Sequence, residues 1–136
     1  MPIMEWDNSF DVGVPTMNRE HQGLLRLMNA LYDAVERGEE GPKVIAMVDE
    51  LGKATVAHFA SEERYFDSIG LPDAAVHKVI HKKLLTQFGQ SAAEIQADNG
   101  KVSKKFFDFL RYWLSAHIRG IDAKYGAYSA QAKQTG

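Results

Sequence analysis

Apolar residues recur along this chain at steps of three and four, and they do so in four separate stretches. In the first, opening near Asn18 as a candidate N-cap, Leu24, Leu25, Met28, Leu31, Tyr32 and Val35 share one helical face until Gly38 and Gly41 interrupt. The second begins at Pro42, a residue suited to a first helical position, carries Val44, Val48 and Leu51 at the same spacing and ends near Ser68-Ile69-Gly70. The third follows Leu71-Pro72-Asp73, shows Leu84, Phe88 and Ile95, and stops at Asp98-Asn99-Gly100. The fourth, capped by Ser103, presents Phe106, Phe109, Leu110 and Trp113 and loses regularity around Gly120. No stretch sustains the period-two alternation of a strand. Four helices with short connections predict an all-α, up-down-up-down four-helix bundle. Residues 1–17, with Trp6, Phe10, Val12 and Val14, are expected to form an N-terminal arm packed across it. A short C-terminal helix is expected after Asp122, and residues 129–136 read as a frayed polar tail. With 136 residues there is room for one domain, spanning 1–136.

With the phase of each helix taken from its aliphatic and aromatic residues alone, the histidines can be placed on it. His21 precedes Leu24 and Leu25 by three and four. His58 continues the stripe through Leu51 and Thr55, with Glu62 one turn further on. His77 and His81 precede Leu84 by seven and three, and His117 follows Leu110 by seven and Trp113 by four. All five histidines of the chain thus face the core. If the apolar stripe covers a 100° arc, five random placements would all fall in it about 0.2% of the time. Five imidazoles and an inward carboxylate make a poor hydrophobic core, because each polar group buried without a partner costs several kcal/mol. A bound metal would compensate.

Composition narrows the chemistry. There is no cysteine, which excludes disulfides, thiolate-ligated zinc, thiolate nucleophiles and Cys-held iron–sulfur clusters. The formal charge of −2, from 16 basic and 18 acidic residues, offers no footprint for nucleic acid or an anionic membrane. The lysine groups Lys78, Lys82, Lys83 and Lys101, Lys104, Lys105 read as solvated helix faces. The N-terminus carries no basic, then apolar, signal pattern and no apolar run reaches the length of a membrane span, so a cytoplasmic location without membrane insertion is expected.

Ligand spacing points to chelation. His58-x3-Glu62 and His77-x3-His81 each put two donors on one helix face a turn apart. His117-x4-Asp122 does not, since five residues span about 140° beyond a full turn, so the helix must unwind near Gly120 for Asp122 to point inward. Nitrogen and carboxylate donors without thiolate suit iron, zinc, copper or manganese. Seven donors are too many for one ion and right for two. If two six-coordinate irons share one oxygen bridge and two bridging carboxylates, five imidazoles leave about one of twelve coordination positions open. An open position in an apolar pocket suits a small neutral molecule such as dioxygen.

The order His21, His58-x3-Glu62, His77-x3-His81, His117-x4-Asp122 resembles the hemerythrins, and Trp6-Asp7, Val12-Gly13-Val14-Pro15 and Glu20-His21 are similar to their bacterial members. The resemblance runs from about Trp6 to Tyr128. It implies a four-helix bundle whose cofactor is two iron ions (Fe2+/Fe3+) with a bridging oxo or hydroxo group, binding dioxygen reversibly. Carried over by position, His77, His81 and His117 would bind one iron, His21 and His58 the other, and Glu62 and Asp122 would bridge them. The apolar lining of the oxygen pocket would be Leu24, Phe59, Trp113, Leu114 and Ile118. The chain departs from the family at Met17-Asn18, where an aliphatic–acidic pair is more usual.

The expected role is oxygen transport, storage or delivery, not catalysis, with dioxygen as ligand and an oxygen-consuming enzyme or a reductase as the candidate partner of a monomer. The alternatives are an oxygen or redox sensor, an iron-handling protein, or an oxygen-activating di-iron enzyme. The last uses Glu-x-x-His pairs, and no histidine here has a Glu three residues before it. A sensor would carry a linker and output module, of which the sequence to Gly136 has no sign.

Overall fold

The structure, a computed structural model, describes residues 5–118 and Ala127. Four α-helices run in order: α1 Pro15–Glu36, α2 Pro42–Ile69, α3 Ala74–Ala97 and α4 Lys104–Ala116. The described residues contain no strand. Asp122, the short helix expected after it and the 129–136 tail lie outside the described residues, apart from Ala127, which is helical.

The helix ends follow from local chemistry. Pro42 opens α2 as expected, and Gly70, in the left-handed conformation at φ 64°, closes it. Ser103 caps α4, its side chain accepting from the Phe106 amide. Here α1 differs from expectation: it begins at Pro15, with Val14 at the cap position, so Asn18 lies inside the first turn and the arm is shorter than 1–17. A proline at the first helical position starts the helix without needing a capping side chain, because its missing N–H is one that would be unpaired anyway. Asn18 is thereby released for another task. Its Oδ1 accepts from the Val12 amide at 3.0 Å, and its Nδ2 donates to Asp11 Oδ1 at 2.8 Å, which also accepts from the Gly13 amide at 2.8 Å. This clasp turns the arm back over α1 and seats Phe10, Val12 and Met17 in the core. Trp6 packs against Phe10, ring centroids 5.3 Å apart.

Asn18→Ala is expected to cost about 1 kcal/mol of stability, the usual scale for losing such a local side-chain clasp. The Gly13 amide bond and then the Asn18 bond hold the Asp11 carboxyl below its ordinary value of 3.8. A group depressed on folding contributes above its unfolded pKa and loses that contribution as pH falls through the folded one. Protection of the Gly13 amide against exchange, taken relative to its intrinsic rate, should therefore fall below about pH 4 in the native chain and show no such step in Asp11→Asn.

The helices alternate in direction. α2 packs on both α1 and α3, and α1 on α4. Tyr32 meets Phe107 edge-on across α1 and α4, and Phe88 meets Phe106 across α3 and α4. Leu24, Met28, Leu31, Val44, Val48, Leu51, Phe59, Leu110 and Leu114 are all buried in the core they enclose. Alternation has a positional consequence. The start of α1, the end of α2, the start of α3 and the end of α4 all lie at one end of the bundle, and that is where His21, His58 with Glu62, His77 with His81, and His117 sit.

Candidate metal centre

All five histidines are at least 95% buried, and the Glu62 side chain is completely so. Glu62 stands in the middle of them. One oxygen lies 3.4 Å from His21 Nε2; the other lies 3.3 Å from His58 Nε2 and 3.2 Å from His81 Nε2. Donor atoms of His21, His58 and Glu62 fall within 4.8 Å of one another, and so do those of Glu62, His81 and His117. Two candidate donor groups therefore share one carboxylate. His77 is buried one turn before His81 and packs on Phe66, ring centroids 5.0 Å apart, but lies outside both groups. Two donors each about 2.1 Å from one ion and at right angles stand about 3.0 Å apart, so the 3.2–3.4 Å spacings around Glu62 are near those of donors prepared for a cation. His81 Nε2 is buried beside Glu62, facing its carboxylate at 3.2 Å.

At His117 and Ile118 the end of the fourth helix widens into a π-type turn. Such a turn bonds five residues on instead of four, the local change that a plus-five ligand spacing requires, and single π turns concentrate at functional sites. The sequence matches the family model of the hemerythrin HHE cation binding domain over residues 12–128.

The chain belongs to the hemerythrin family.

Relatives agree over nearly the whole length. A bacteriohemerythrin of Stenotrophomonas maltophilia is 28% identical, covering 98% of this chain and 84% of its own. A hemerythrin-like protein of Naegleria gruberi is 35% identical over 88% of each chain. A crystal structure of wild-type hemerythrin superposes with a TM-score of 0.84 at 29% identity, covering 91% of this chain and 95% of the other.

In this hemerythrin-family bundle the five residues expected to line a pocket, Leu24, Phe59, Trp113, Leu114 and Ile118, are core residues, each at most 4% exposed. Phe59 lies flat on the His81 ring, centroids 3.9 Å apart with an interplanar angle of 1°, and Trp113 meets Phe59 edge-on at 5.8 Å. The aromatic stack fixes the plane of His81 while excluding water from its face. Burial by itself would raise the Glu62 carboxyl pKa, but hydrogen bonds from His21, His58 and His81 outweigh it and keep the carboxyl ionised, well below the usual range. An anionic, fully buried carboxylate among imidazoles is the electrostatic requirement for holding a cation.

Two acidic residues outside the expected ligand set also take part. Glu20 Oε1 is 2.6 Å from His58 Nδ1 and Glu20 Oε2 accepts from Ser61 Oγ at 2.8 Å, while Glu63 Oε2 is 3.3 Å from His81 Nδ1. Burial raises the Glu20 pKa, but the His58 and Ser61 hydrogen bonds more than offset this and lower it overall. The only sequence signal for either is adjacency, Glu20 beside His21 and Glu63 beside Glu62. That signal is weak, because neighbours in a helix point about 100° apart and acidic residues are common on solvated faces.

Proposed function

We propose that this protein binds dioxygen reversibly at a two-iron centre and serves as an oxygen carrier, store or delivery protein. The observation that carries the reading is the single buried carboxylate of Glu62 shared by two histidine groups, which supports two adjacent ions bridged through it. His21 and His58 would hold one iron, His77, His81 and His117 the other, and Asp122 would supply the second bridge, on the +5 spacing that the π-type turn at His117 accommodates. The iron pair, when bound, supplies two electrons for reversible reduction of dioxygen.

The chain's own contribution is placement and exclusion. Ring stacking and buried hydrogen bonds orient the imidazoles, and Leu24, Phe59, Trp113, Leu114 and Ile118 form a dry wall that withholds water and protons, on which reversibility depends. The acid-poor donor set, five nitrogens to two carboxylates, favours binding over oxygen activation. Among the described residues no helix is long and apolar enough to cross a membrane. A single domain spanning 1–136, acting as a monomer in the cytoplasm, is the setting in which this reading places it.

The test is optical. Loaded with iron, reduced and exposed to oxygen, the protein should gain a visible charge-transfer absorption that disappears on degassing. Irreversible oxidation without a degassable band would favour the sensor or enzyme alternatives. His117→Ala should lower iron content below two per chain; full iron content in that variant would remove His117 from the ligand set.

A further inference from the structure

The two carboxylates behind the histidines are not equivalent. Glu20 is anchored twice, by His58 Nδ1 at 2.6 Å and by the Ser61 hydroxyl at 2.8 Å, whereas Glu63 approaches His81 Nδ1 at 3.3 Å. Each serves a different group of donors: His58 belongs with His21 and Glu62, and His81 with Glu62 and His117. Glu20 and His58 also line a groove of about 440 Å³ between α1 and α2, whose other walls include Leu24, Ser61 and Arg64. The Glu20 side chain is 29% exposed there, so its charge is only partly screened while its hydrogen bond to the ring is short.

We propose that Glu20 is a positioning residue that selectively sustains the metal position formed by His21 and His58; this rests on the two-metal reading above. Ser61 orients the Glu20 carboxylate, and the carboxylate accepts the Nδ1 proton of His58. With a cation bound, this would hold the imidazole in the tautomer that leaves the Nε2 lone pair, on the Glu62 side of the ring, free for the metal, and would raise the basicity of that nitrogen. The anchoring matters most on this side because the position has two histidines from the chain, against three proposed for its neighbour. Glu63, more distant and with a single bond to the ring, gives the neighbouring position a weaker version of the same support.

Titration of the apo protein with Co2+ against a competing chelator, followed by visible absorption, reads the two positions separately. The native chain should take two equivalents. Glu20→Ala should weaken one of them about 10–100-fold and leave the other unchanged. Glu20→Gln keeps an acceptor for the Nδ1 proton but not the charge, and should fall between. Ser61→Ala, which leaves the His58 contact intact, should weaken the same single position by less. Thermal unfolding of each apo variant separates these effects from loss of fold. Equal weakening of both positions, or of neither, in folded Glu20 and Ser61 variants would overturn the proposal. A native chain that takes fewer than two equivalents would instead overturn the two-metal reading on which it stands.

Discussion

Glu62→Ala is expected to abolish binding of both metal equivalents at once, whereas removal of any single histidine should first cost one. The reason is geometric: among the described residues Glu62 is the one common to both donor groups, with an oxygen 3.4 Å from His21 Nε2 and another 3.3 and 3.2 Å from His58 and His81. A ligand that binds only the folded state stabilises it by about 4 kcal/mol at a thousandfold excess over its dissociation constant, so two lost sites forfeit roughly 8 kcal/mol. For a chain of this length that corresponds to a fall in the thermal midpoint of the loaded protein of more than about 15 °C. The apo forms should differ far less. Calorimetry of both proteins with and without metal measures the difference directly, and a Glu62→Ala protein that still binds one tight equivalent would show that the carboxylate is not shared.

The second large effect is expected at the opposite end of the bundle, about 25–30 Å from the histidines along α3. Gly100→Ala should destabilise the fold by about 2–4 kcal/mol and leave the metal stoichiometry at two. Gly100 has φ +82°, and a Cβ placed on it would collide with the Gly41 carbonyl oxygen and stand 2.5 Å from the Gly41 nitrogen. Backbone atoms cannot rotate aside as a side chain can, so the α1–α2 and α3–α4 loops would have to separate. Gly38→Ala is the matched control: φ is +85°, yet nothing lies within 4 Å of its Cβ, so only the conformational strain of about 1 kcal/mol is expected. Chemical denaturation of the two apo variants distinguishes steric from conformational cost. Equal losses would mean that the contact between loops contributes nothing.

Much of this was legible from residue order. The three-and-four spacing of apolar residues located all four helices, and Pro42, Gly70 and Ser103 marked ends that the structure reproduces. The inward placement of the histidines and Glu62 was legible because helical phase is a local property, and all six residues are buried. The start of α1 was misplaced. Asn18 is a good capping residue by type, but Pro15 had already begun the helix, and the Asn18 side chain serves the arm. At Met17-Asn18, Met17 is buried in the core, and Asn18 exchanges hydrogen bonds with Val12 and Asp11.

Glu20, Glu63 and Ser61 were not legible, because what distinguishes them is a partner on another element or another face. Glu20 on α1 reaches His58 and Ser61 on α2, 38 and 41 positions away. No periodicity reports such a pair.

The sequence by itself determined the donor types, their placement on helix faces and the absence of thiolate chemistry, since each depends on residue identity and on the 3.6-residue period alone. Only the tertiary structure decided that antiparallel packing gathers four helix ends into one place. It also decided that Glu62 serves two groups of histidines at once, and that Glu20 and Glu63 stand behind them. Those facts depend on distances between helices, which are set by how the side chains of the whole core interlock.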